Sequence, residues 1–206
     1  MGMDEERAEH IVKRLARFIC DANAEIMRFT KNRGHIHDTG SEGYVSGYIA
    51  NRIYSENLLV DGEYVDHVRL EVSVTDRVDV STEARKTGRF DIVCFNENGD
   101  AILIIEVKRY FSPSALKEDA SRLISAIRMS RATERHLKGG VLVGVNTDWG
   151  KVSRTTVSEQ LEQVESTIRD YENDVHTWGG VHEEPVLIEG ENTLKKVIGF
   201  AVLIKG

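Results

Sequence analysis

The chain has 206 residues, 40% hydrophobic and 30% charged, which is enough for a full core and excludes a disordered or low-complexity class. Its formal net charge of −7 argues against an indiscriminate nucleic-acid binder, because such proteins carry a basic surface that releases counterions. The acidic start MGMDEERAEH is unlike a signal peptide and no run of about 18 apolar residues occurs, so a cytoplasmic protein with no membrane segment is expected.

No internal repeat or Pro/Gly/Ser-rich linker interrupts the sequence, and one domain over 1–206 is expected. Ile11, Leu15, Phe18, Ile19, Ile26 and Met27 recur at helical spacing over 4–30, and a second helix is expected at about 40–57 with Ser41 as its N-cap. Between them the His-x-His pair His35 and His37, with Asp38 beside it, could hold a metal, but no further ligand lies nearby and the reading is rejected. Val68, Leu70, Val72 and Val74 alternate with polar residues, the mark of a half-buried strand. The segment 89–108 reads as two strands, apolar on both faces, around Asn98-Gly99.

A helix is expected from about Pro113 to Lys138, with Leu116, Ala120, Leu123 and Ile127 on its apolar face and Gly139 just past its end. VLVGVN (141–146) follows as a strand, Val157, Leu161, Val164 and Ile168 mark a further helix, and PVLIE and VIGFAVLI close the chain as strands. The order is ααβββαβ, then αββ. TWGGVHEE (177–184) has the composition of a turn or flexible loop, in which Trp178 serves core packing or an oligomer contact more readily than base stacking. Cys20 and Cys94 lie in apolar patterns without framework or zinc spacing and are read as reduced, buried thiols.

The hairpin concentrates the chemistry. With a two-residue type I′ loop at Asn98-Gly99, Phe95 faces Ile102, Val93 faces Ile104, and Asp91 faces Glu106. Opposed Cβ atoms lie roughly 4.5–5.5 Å apart, and like charges placed there destabilise a sheet. Lys108, two residues beyond Glu106, points to the same face. A divalent cation between the acids would relieve the repulsion, since Mg²⁺ is held by one or two carboxylates and keeps most of its waters. The ammonium could then orient a nucleophile or stabilise developing charge on a phosphodiester.

This D-x14-E-x-K arrangement across a strand hairpin, preceded by a helix and followed by a helix and a strand, resembles the PD-(D/E)xK nuclease superfamily, the fold of restriction endonucleases, Holliday-junction resolvases and several repair nucleases. The resemblance covers about residues 40–146. It implies an α/β fold of restriction-endonuclease type: an αβββαβ core with a central mixed sheet flanked by helices, here with an extra N-terminal helix and a C-terminal αββ extension. It also implies that Asp91 and Glu106 hold Mg²⁺, with Mn²⁺ as a substitute, that Lys108 is the motif lysine, and that cleavage leaves a 5′-phosphate. The family often adds a glutamate from the preceding helix, and Glu42 fits because it shares a face with Val45, Ile49 and Ile53. Phe90 stands where the motif name has proline.

The expected function is therefore a Mg²⁺-dependent DNA nuclease, with homodimerisation suggested by the need of double-strand cutting for two copies of one site. For DNA contact, Arg109 beside the site is one candidate; Arg128, Arg131, Arg135 and Lys138 recur as a stripe of the third helix, within a segment (109–138) of net charge +4. The alternatives are a catalytically silent nuclease-like module that binds DNA or protein, and a metal-dependent hydrolase of RNA or small phosphate esters.

Overall fold

The apolar runs from His67 to the end of the chain meet in one sheet. The computed structural model describes residues 5–29, 42–73, 89–108, 113–133, 137–146, 154–171, 174–187 and 194–206. Helices α1 (Glu5–Phe29) and α2 (Glu42–Ser55) come first, followed by the short strands β1 (Leu59–Val60) and β2 (Glu63–Tyr64). Then come β3 (His67–Ser73), β4 (Arg89–Phe95), β5 (Ala101–Lys108), α3 (Pro113–Ala132), β6 (Gly139–Asn146), α4 (Arg154–Tyr171), β7 (His176–Leu187) and β8 (Leu194–Lys205). The six-stranded sheet has the order β3-β4-β5-β6-β8-β7; only β5 and β6 run parallel, joined through α3, and the other neighbours are antiparallel. The fold is thus mixed α/β with a central, mostly antiparallel sheet flanked by helices, and the expected C-terminal αββ segment extends that same sheet. No helix among the described residues is long and apolar enough to cross a membrane.

Each face of the sheet buries its own cluster. Ile11, Leu15 and Phe18 of α1 and Val45, Ile49 and Ile53 of α2 pack with Ile92, Cys94, Leu103, Ile105 and Val107 on one face. Leu116, Leu123 and Ile127 of α3 and Leu161 and Ile168 of α4 pack with Val93, Phe95, Ile104 and Phe200 on the other. This alternation is the period-2 geometry of a strand, and β5, covered on both faces, is buried from Ile102 to Val107. Cys20 and Cys94 are buried and unbridged; burial pushes both thiols well above their ordinary range.

The β4–β5 turn differs from the expected two-residue loop. The Asn96 amide donates to Asp100 O (3.0 Å) and the Gly99 amide to Asn96 O (3.0 Å), with φ +79° at Gly99 and no positive φ at Asn98. This is a three-residue loop, in which only glycine's position needs the left-handed region. The Asn96 side chain closes it, its Oδ1 accepting from the Asn98 and Asp100 amides. Phe95 consequently pairs with Ala101 instead of Ile102, and an irregularity between Cys94 and Phe95 restores the expected register: Cys94 with Leu103, Val93 with Ile104, Ile92 with Ile105.

Three further expectations are corrected. The third helix ends at Ala132, and Gly139 opens β6 instead of capping the helix. The TWGGVHEE segment is strand, part of the long β7, because its glycines serve packing: a Cβ on Gly180 would lie 2.9 Å from Val12 Cγ2 of α1. Trp178 packs partly buried against the α1/α2 cluster. The β1/β2 ribbon, with positive φ at Asn57 and Asp61, was not anticipated.

Candidate functional site

Among the described residues only two charged side chains are buried, Glu106 and Asp119, and they meet at one end of the sheet. Glu106 follows the apolar run of β5 and is 2% exposed, on the face that packs against α3. Asp119 comes from the second turn of α3, three residues after the core residue Leu116. One guanidinium touches both: Arg122 Nη2 lies 2.7 Å from Glu106 Oε1 and 2.8 Å from Asp119 Oδ1. Lys108 Nζ lies 2.6 Å from Asp119 Oδ2, its side chain about a quarter exposed.

Asp91 is half-buried near the start of β4, and its Oδ2 accepts the Val107 amide at 2.6 Å, in a place where a strand carbonyl would otherwise serve. Regular β4–β5 pairing ends at Ile92 with Ile105; one step further in that register brings Asp91 across from Glu106. The strands turn over at this level. Phe90 packs in the α3/α4 cluster while Ile92, two residues on, packs in the α1/α2 cluster, and Glu71, which the β3–β4 register sets opposite Asp91, has φ +51°. Glu71 itself points outward and pairs with Arg89 at 3.1 Å.

Burial pushes the Glu106 carboxyl up to about 8; the neighbouring Asp91 charge adds to the rise, Arg122 opposes it, Asp119 adds and Lys108 opposes. The contact of Arg122 with Glu106 is one of charge without hydrogen-bond alignment, since Glu106 Oε1 and Arg122 Nε each lack an aligned partner. A buried carboxylate oxygen with no aligned donor, next to a second carboxylate, is a hard-oxygen donor set that suits Mg²⁺ or Mn²⁺. No group of three or more His, Cys, Asp or Glu converges into a ready-made cage among the described residues. The fit is therefore to an ion held by two carboxylates and otherwise by water.

The sequence-derived residues fare unequally. Asp91, Glu106 and Lys108 come to one strand end, as their spacing implied. Glu42 is the first residue of α2, whose Val45, Ile49 and Ile53 are buried; its side chain lies outside the described residues. Arg109, Arg135 and the His35/His37/Asp38 segment also lie outside them. Arg128 and Arg131 are exposed on α3, with Arg128 paired to Asp174 at 2.5 Å. The expected four-residue stripe on one helix is corrected: α3 stops before Lys138, which pairs with Glu63 at 2.9 Å beside the β1/β2 ribbon. Asp119 and Arg122 were missed. For Asp119 the signal was an acid in the apolar i, i+3, i+4 stripe of Leu116, Ala120 and Leu123; Arg122 had none.

No family model, curated protein or solved structure matches this chain.

Proposed function

We propose that the protein is a Mg²⁺-dependent nuclease that hydrolyses phosphodiester bonds of DNA at the Asp91/Glu106/Lys108 site. The observation that carries this reading is Glu106: a carboxylate buried at the end of a central strand, beside Asp91 and with Lys108 on the same face, has no packing purpose. The element order supports it too. Apart from the short β1/β2 ribbon between α2 and β3, the order of α2, the antiparallel β3–β4–β5, the crossover α3 and the parallel β6 is compatible with the αβββαβ succession that the resemblance to PD-(D/E)xK nucleases implies.

In this reading Asp91 and Glu106 would hold the ion, with Glu42 assisting, and its chemistry would be to neutralise charge on the phosphodiester oxygens. Lys108, fixed by Asp119, orients the attacking water and stabilises the charge that develops on phosphate. Val107 N–H holds Asp91 in place by donating to Oδ2. Cutting of both strands would use two copies of the chain related by a two-fold axis.

The test is incubation with supercoiled, linear duplex and single-stranded DNA, each with Mg²⁺, Mn²⁺ or EDTA. Cleavage in metal and none in EDTA is the expected result; inertness on all three substrates would remove the nuclease reading. A silent DNA- or protein-binding module is favoured by one observation: Lys108 and Glu106 are both engaged by side chains of the same chain. That reading predicts no cleavage of DNA, RNA or nucleotide esters under any of these conditions.

A further inference from the structure

Among the described residues, Arg122 is the one within ion-pair distance of both buried acids. It reaches them from the surface: its side chain is 30% exposed, so the guanidinium can turn toward solvent without opening the core, whereas Glu106, at 2%, cannot reach water. Its hold on Glu106 is also poorly directed. A strong arginine–carboxylate pair is a planar fork of two aligned hydrogen bonds, but here Oε1 accepts no aligned bond and Nε donates none. A cation that touches a buried carboxylate closely, but without directed bonds and on a retractable arm, fills the place in charge that a small metal ion would fill by coordination.

We propose that Arg122 is an internal counter-cation for Glu106 that competes with the divalent ion for this carboxylate. The inference rests on the metal-site reading above. In the metal-free protein the guanidinium compensates Glu106 and Asp119 together; when the ion arrives, Arg122 gives up Glu106 and keeps Asp119 or turns outward. Two ligands of one group exclude each other, so removal of the guanidinium tightens metal binding while it weakens the metal-free fold.

Calorimetric titration of Mn²⁺ into wild type, Arg122→Gln and Arg128→Gln tests this, with melting temperatures in EDTA and in Mn²⁺ measured alongside. Arg122→Gln should bind Mn²⁺ about tenfold more tightly, within the usual range of a coupling between two ligands. It should melt lower in EDTA and recover in Mn²⁺. Arg128→Gln, which removes an equal charge from the same helix away from the acids, should leave the Mn²⁺ affinity unchanged. Equal affinities in wild type and Arg122→Gln overturn the competition and leave the metal site standing, as does an equal gain in Arg128→Gln. Absence of Mn²⁺ binding in all three proteins overturns the metal reading itself. Should Arg122→Gln not fold, the wild type decides: the Arg122 Nε–H resonance should move as Mg²⁺ saturates the protein, and a resonance unmoved at saturation contradicts the proposal.

Discussion

Lys108 Nζ of β5 lies 2.6 Å from Asp119 Oδ2 of α3, so the lysine of the strand motif is held by an acid of the crossover helix. This contact fixes a flexible four-carbon side chain, and under the proposed nuclease function its ammonium would have to point at a reacting phosphate. Asp119→Asn should therefore lower kcat roughly 10- to 100-fold, the effect typical of residues that orient a ligand or catalytic group, with KM unchanged. Asp119→Glu should recover part of the loss. Steady-state cleavage kinetics decide it: a change confined to KM would mean that Asp119 serves substrate binding instead.

The buried Glu106 makes the stability of the metal-free protein depend on pH. Its carboxyl titrates at about 8 in the fold and near 4.5 when unfolded, because of burial first and the Asp91 charge second, so between these values the folded chain binds the extra proton. Stability from this group is complete below pH 4.5 and is lost as pH rises through about 8. The facing groups are Asp91 from β4, Lys108 on the same strand, and Asp119 and Arg122 from α3. In EDTA, melting temperature should fall from pH 6 to pH 9 more steeply in wild type than in Glu106→Gln. Parallel curves for the two proteins would place the charge outside the core.

The three-residue loop makes a distinction of its own. Gly99→Ala should cost about 1–2 kcal/mol, the penalty of a left-handed conformation for an L-residue, while Asn98→Gly should change stability little. Asn96→Ala should cost about 1–3 kcal/mol, since two amides lose their acceptor. Chemical denaturation measures all three. A large gain from Asn98→Gly would point back to a loop with positive φ at both central residues.

How far the sequence could be read follows from where single residues decide. The β4–β5 register was legible at Val93 with Ile104 because strand periodicity and the Asn-Gly signal agree, and the longer loop is compensated by the irregularity at Cys94/Phe95. The loop itself was not legible, because Asn98-Gly99 suits both loop types and the choice lies with the Asn96 side chain. β7 was misread at Gly179-Gly180, whose composition suggests a turn but which admit the close approach of α4 at Gly179 and of α1 at Gly180. Arg122 enters the sequence reading only through the net charge of 109–138, because its partners come from a strand 16 residues earlier and from its own helix. Nothing in a helical pattern announces which exposed arginine leans inward.

The central claim is that Glu106 is kept ionisable and buried for a metal-assisted reaction, and Glu106→Gln tests it most directly, since it keeps shape and removes only the charge. Supercoiled plasmid incubated in Mg²⁺ with wild type and with Glu106→Gln, with melting curves of both proteins at pH 9 in EDTA, gives the two readouts together. The account predicts that wild type cuts and the variant does not, while the variant melts at a higher temperature because a buried charge has gone. Cleavage by Glu106→Gln at the wild-type rate would contradict it.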